Sequence, residues 1–165
     1  MPPFPEPLQQ TDRTYVLHRG RRYIYFGGCD YFRLASHPKV LAAAESGLRQ
    51  YGLNVSASRR TTGNHILYDQ LEEALCDFFG IDAALLVSNG YATGQTAAQG
   101  LKGLFGRAYV DGRAHGCIAD AATALACPVT SFDHSNGAAL KRLISNRQTA
   151  KPALVLTDGA FAYDG

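Results

Sequence analysis

The sequence predicts an α/β fold, a mostly parallel sheet sandwiched by helices. Three observations carry that expectation. From residue 84 onward, short apolar runs alternate with longer amphipathic ones, the order a strand–helix–strand chain produces. The short runs are continuously apolar instead of alternating, as strands covered on both faces are. The unusual residues gather just after those runs, at Asn89-Gly90-Tyr91, at Asp111-Gly112-Arg113-Ala114-His115 and at Asp158-Gly159. In parallel sheets ligands sit beyond the carboxyl ends of the strands, where these residues fall.

Taken in order, "TYVL" (14–17) and "RYIYF" (22–26) flank the turn "HRGR" and predict a β-hairpin. "SHPKVLAAAESGLRQYG" predicts a helix, with Ser36 as cap candidate, Pro38 in the first turn and Gly52 as its end. "TTGNHILYDQLEEALCDFFG" spaces Leu67, Leu71, Leu75 and Phe78 on one helical face and stops at Gly80; Thr61 or Thr62 is its cap candidate. "AALLVS" then reads as a buried strand, "GQTAAQGLKGLF" as helix, "RAYVD" as strand and "CIADAATALA" as helix. "VTSFD" is a short strand, "NGAALKRLISNRQ" a helix and "PALVLTDGAF" a last strand. The expected division is an N-terminal arm, hairpin and first helix over 1–50, then one larger α/β portion over 51–165.

Composition narrows the function classes. With 16 basic and 14 acidic residues the net charge is +2, which gives no electrostatic case for nucleic acid or a membrane surface. No run of 18 apolar residues occurs, and "MPPFPEPLQQTDR" has no apolar core of a signal peptide, so the expected location is cytoplasmic. Cys29, Cys76, Cys117 and Cys127 share no CxxC spacing and read as free thiols. His18, His37, His65, His115 and His134 are scattered, so no metal site is expected.

The stretch "ALLVSNGYATGQTAAQG" raises a specific chemistry. A strand entering a helix through Asn89-Gly90-Tyr91 leaves helix N-terminal N–H groups uncrowded, and such a helix end receives an anion. An ordinary strand-to-helix turn fits the same residues.

Five segments in unbroken order then carry a resemblance: "YFGGCDYFRLASHPKV", "RRTTGNHILYDQLEEAL", "LLVSNGYATGQTA", "VDGRAHGCIADAA" and "VLTDGAFAYDG". Over residues 22–165 the chain resembles the α-oxoamine synthases. These are fold-type I pyridoxal-phosphate enzymes, which include 8-amino-7-oxononanoate synthase, glycine C-acetyltransferase, 5-aminolevulinate synthase and serine palmitoyltransferase. The resemblance implies the front part of an aspartate aminotransferase-like large domain. It also implies condensation of an amino acid with an acyl-CoA to an α-amino ketone, with loss of carbon dioxide, in a homodimer.

Residue by residue, the resemblance places the cofactor phosphate at Asn89, Gly90 and Tyr91. It lays the His115 imidazole flat against the pyridine ring, puts Asp158 beside the cofactor, and gives Asp111 a structural part. Gly63 and His65 of "TTGNH" fall in the segment that closes over the substrate side, and Cys29 falls at a substrate-binding position. Arg59 and Arg60 are candidates for a carboxylate or a CoA phosphate.

Two departures stand out. Cys29-Asp30-Tyr31-Phe32-Arg33 replaces the family's Asn-Asp-Tyr-Leu-Gly, and Ala162 stands where the family has serine. Both keep open a non-catalytic relative, and an aminotransferase- or aldolase-like enzyme of the same fold is a separate alternative. The lysine that forms the Schiff base is a third gap: Lys39, Lys102, Lys141 and Lys151 each lie in a helix or a surface connection. With the last segment ending on a strand, the expectation is a chain cut before that lysine.

Overall fold

The computed structural model describes residues 4–10, 14–146, 148–161 and 165. Ala162 lies outside the described residues. The chain divides between Asp69 and Gln70 into two units, each described by itself.

In the first unit, β1 (Gln9–Gln10), β2 (Tyr15–His18) and β3 (Arg21–Ile24) form an antiparallel sheet in that order. The expected hairpin is present. Its two-residue loop, Arg19-Gly20, has φ of 51° and 72°, the positive angles that a tight hairpin turn requires to match strand twist. The two-residue β1 is too short to leave a periodic signal. Arg22 lies over the Tyr15 ring at 4.1 Å, and Val16 is the buried apolar residue of this sheet.

Helix α1 (Pro38–Tyr51) starts and stops near the expected places, but its cap is His37, not Ser36. The His37 Nδ1 accepts the Lys39 N–H at 3.2 Å, the task a serine oxygen performs elsewhere, and Ser36 belongs to a 3₁₀ turn, Leu34–Ser36. Gly52, at φ 76°, closes the helix by returning its N–H to the Leu48 carbonyl. The cap of α2 (Ile66–Phe79) is also a correction. His65 Nδ1 accepts the Leu67 N–H at 3.2 Å, while the Thr61 hydroxyl is turned to the Ser58 carbonyl. The unit boundary falls within α2, and Gly80 at φ 63° ends it.

The second unit holds α3 (Gly90–Gly100), β4 (Arg107–Asp111), α4 (Gly116–Ala122), β5 (Val129–Phe132), α5 (Gly137–Ser145) and β6 (Ala153–Leu156). The strands are parallel, in the order β5-β4-β6, with Asp111 opposite Phe132 and Val110 opposite Leu156. Alternation along the central strand separates the two layers. Ala108 and Val110 enter a core with Ala98 of α3, Ala121 and Ala122 of α4, and Leu125 of the following 3₁₀ turn. Tyr109 points the other way and donates its hydroxyl to the Leu143 carbonyl of α5 at 2.9 Å. Helices therefore cover both faces, as expected.

One element is overturned. Residues 84–88 form no strand. Leu85 is 69% exposed, and the Leu86 N–H is received at 3.0 Å by the Glu72 carboxylate of α2. An apolar run marks a wish for burial, whereas a strand exists only when a neighbouring chain completes its hydrogen bonds.

Candidate functional site

Helix α3 opens where the sequence placed its turn. Asn89 is extended and caps the helix, its Oδ1 accepting the Ala92 N–H at 2.9 Å. The donors of Gly90 and Tyr91 lie ahead of the first intrahelical bond and face outward with the positive end of the helix dipole. A side chain at Gly90 would meet nothing within 4 Å, and its φ is not left-handed. Neither packing nor backbone angle asks for glycine there.

The Tyr91 side chain has a different task from its backbone. Its hydroxyl donates to the Asp120 carboxylate of α4. That hydrogen bond, then burial, then repulsion from Asp120 and Cys117 hold the phenol above its ordinary pKa. Gly94, one turn on, allows close packing: a Cβ there would lie 3.2 Å from the Ala121 Cβ and 3.3 Å from the Cys117 carbonyl oxygen.

His115 sits at the head of α4 and caps it. Its Nδ1 accepts the Cys117 N–H at 3.2 Å, with the Cys117 Sγ 2.9 Å from the same nitrogen. An accepting Nδ1 fixes the proton of the neutral ring on Nε2. The His115 N–H donates to Asp158 Oδ2 at 2.7 Å, tying the end of β4 to the end of β6. Asn89, Gly90, Tyr91, His115 and Asp158 all belong to the second unit, at the starts of α3 and α4 and the end of β6. Tyr91 and Gly94 of α3 meet Asp120, Cys117 and Ala121, so the first turns of α3 pack against α4.

Behind this turn lies a pair that pattern reading passed over. Asp111 is the buried charged residue among those described, 5% exposed, and its Oδ1 lies 2.9 Å from His134 Nδ1 and 2.8 Å from the Arg113 nitrogen. Burial pushes the Asp111 carboxyl up. The Arg113 N–H, the bond and charge of His134 and the Ser135 N–H outweigh it and hold the group below the usual carboxylate range. The pair was findable: Asp111 ends one strand, and His134 follows the next strand by two residues. Parallel register brings those ends together.

Cys29, Gly63 and His65 lie in the first unit. Cys29 is exposed and follows Gly28, whose φ is 81°. Gly63 has a local reason to be glycine, because a Cβ would stand 2.1 Å from the Ala57 carbonyl oxygen. His65 spends Nδ1 on its cap and packs edge-on against Tyr51, with ring centroids 4.9 Å apart. Arg59 is stacked on Tyr68 and bonded to Asn64 and to the Asp69 carboxylate. Among the described residues no cluster of three His, Cys, Asp or Glu could hold a metal ion. Likewise no helix is long and apolar enough to cross a membrane.

No family model matches the chain. Relatives do. The chain is 37% identical over 147 residues to the 8-amino-7-oxononanoate synthase of Methylorubrum populi, covering 88% of this chain and 38% of that protein. It is 34% identical over 160 residues to that of Trichlorobacter lovleyi, covering 96% and 41%. A serine palmitoyltransferase from S. paucimobilis, solved with bound pyridoxal phosphate and myriocin, superposes with a TM-score of 0.81 at 25% identity, over 89% of this chain and 38% of that one.

The chain belongs to the α-oxoamine synthase family.

It spans about two fifths of the length of the curated relatives it matches. The parallel sheet with helices on both faces is the part of the fold-type I architecture that the α-oxoamine synthases share with this chain. Arg33, where the family motif has glycine, is left-handed, φ 54° and ψ 35°, a conformation that glycine adopts without strain.

Proposed function

We propose that this chain is the phosphate- and ring-holding part of a pyridoxal-phosphate-dependent acyltransferase. The enzyme condenses an amino acid with an acyl-CoA to an α-amino ketone, in the manner of 8-amino-7-oxononanoate synthase. The carrying observation is the start of α3, where the Gly90 and Tyr91 N–H groups precede the first intrahelical bond and a Cβ at Gly90 would meet nothing within 4 Å.

These residues fit the cofactor's shape. The N–H groups of Gly90 and Tyr91, with the α3 dipole, suit a phosphate dianion. The His115 ring, fixed by its cap and by the Asp158 bond, offers a flat face to a pyridine. When bound, the cofactor supplies an electron sink for a carbanion at the amino-acid Cα. The chain's own residues bind its phosphate, orient its ring and, through Asp158, hold the turn that carries His115. Cys29, Gly63 and His65 serve the substrate side. None of the four lysines is proposed to bond the cofactor: Lys39 and Lys141 ride on helices, Lys102 follows α3, and the Lys151 Nζ donates to the Gly103 carbonyl. The working protein is a cytoplasmic homodimer.

The test compares binding of pyridoxal phosphate and pyridoxal by absorbance titration, in the parent, Gly90→Val and His115→Asn. Asparagine keeps a capping acceptor and removes the ring. Stacking on a flat partner is worth on the order of 1–3 kcal/mol, so His115→Asn should weaken pyridoxal phosphate binding by roughly ten- to a hundredfold. Gly90→Val should abolish the preference for the phosphorylated form with little change in thermal midpoint. Equal binding of both forms by the parent, or parental affinity in His115→Asn, would overturn the assignment.

A further inference from the structure

We infer that His134 is a positioning residue for the turn that carries His115. Through the Asp111 carboxylate it sets the conformation in which the His115 N–H meets Asp158. The consequence for a cofactor rests on the function proposed above; the positioning does not.

A buried carboxylate is costly unless donors surround it. Asp111 takes one donor from its own turn, the Arg113 N–H, and two from the loop after β5, the His134 Nδ1–H and the Ser135 N–H. The imidazole and the Ser135 N–H together bind the neighbouring loop to this strand end. Its other side packs edge-on against Phe161, 4.4 Å between centroids, in the segment after β6. One largely buried ring, in the loop after β5, thus touches the end of β4 and the segment after β6.

From Asp111 the path to His115 is short and fastened throughout. The Gly112 N–H donates to the Phe132 carbonyl at 2.9 Å, and the Ala114 N–H returns to the Asp111 carbonyl at 3.0 Å. A Cβ at Gly112 would stand 3.1 Å from the Phe132 oxygen, so the turn has little room to slide. His115 follows directly, with its N–H on Asp158. A shift of Asp111 has no slack in which to dissipate before it reaches the His115–Asp158 bond. In this role His134 acts through Asp111.

Side-chain shape separates positioning from mere packing. Asparagine places an amide nitrogen where the His134 Nδ1 stands, glutamine reaches the Nε2 position instead, and leucine fills volume without donating. The measurement is hydrogen exchange of the His115 backbone amide in the cofactor-free chain, beside the affinity for pyridoxal phosphate and a thermal melt. In His134→Leu the His115 amide should exchange about tenfold faster, with a similar loss of cofactor affinity, as fits loss of a bond to a charged group. His134→Asn should restore both. If His134→Leu does not fold, His134→Gln is read in its place with the same expectation. Parental exchange at His115 in the donor-less variant, even with a lowered melting point, overturns the proposal, as does an asparagine variant no better than leucine. Should exchange respond as expected in a parent that does not bind pyridoxal phosphate, the positioning role stands and the cofactor assignment falls.

Discussion

The Tyr91 hydroxyl, on the first turn of α3, donates to the Asp120 carboxylate on α4, joining the two helices whose starts form the candidate site. The bond needs a protonated phenol, and the folded chain holds that phenol above its ordinary pKa of about 10. A raised folded value means that the stabilisation is fully present below the unfolded pKa and is lost as pH rises through the folded one. The melting-point difference between the parent and Tyr91→Phe should therefore be constant near neutrality and narrow above pH ~10. A difference that stays constant into strong alkali would show that the hydroxyl contributes no linkage.

At the other end of the pH scale, Glu6 accepts from Arg19 and His18, and these bonds bring its carboxyl from 4.5 to about 2. A depressed folded pKa gives stability that is present above the unfolded value and disappears as pH falls towards the folded one. Between pH 4.5 and 2, protection against exchange, relative to the intrinsic rate at each pH, should fall in the parent at the amides pairing Gln9 with Leu17 and Gln10 with Val16. In Glu6→Gln that protection should be low already at neutral pH and change little on acidification. An acid-insensitive parent would count against the link between Glu6 and β1.

Arg33 supplies a test of backbone strain. Its left-handed conformation costs a residue with a Cβ about 1 kcal/mol, while its guanidinium donates to the Thr14 hydroxyl at 3.0 Å. Arg33→Ala keeps the strain and loses the bond; Arg33→Gly loses both. The glycine variant should be more stable than the alanine variant by about 1 kcal/mol in urea unfolding. The reverse order would mean that the angle is not strained.

Gly63 is the opposite case, a glycine demanded by contact. Placing a Cβ 2.1 Å from the Ala57 carbonyl forces the loop before α2 to move. Gly63→Ala should destabilise the chain by roughly 2 kcal/mol or more, as local strain does. It should also raise exchange at the Leu67 amide that His65 caps. A melting curve overlapping the parent's would remove Gly63 from the positions that matter.

Much of the second unit was legible because its signals are local. The parallel strands ending at Asp111, Phe132 and Leu156 and the helices between them follow from apolar runs and glycine or asparagine punctuation. Asn89 caps α3 as asparagine habitually does. His37, His65 and His115 hid the same function, since imidazole is not among the usual caps although its Nδ1 can accept as an oxygen does. Residues 84–88 were misread for a different reason: hydrophobicity is a property of the segment, while a strand is a relation between two. Asp111 and His134 were each visible, but their meeting across 23 residues appears only once parallel register is imposed.

The core of the second unit has an implication for mutational drift. Ala108 and Ala122 have no exposed surface, and Ala98 and Ala121 are nearly as enclosed. Apart from glycine and serine, every residue one nucleotide away from an alanine codon is larger, charged or a proline. Overfilling a packed site costs typically 1–3 kcal/mol. A library of random point mutants screened for folding should accordingly be depleted at these four alanines as severely as at any catalytic position. In such a map the floor beneath α3 and α4 would look as immutable as the site above it.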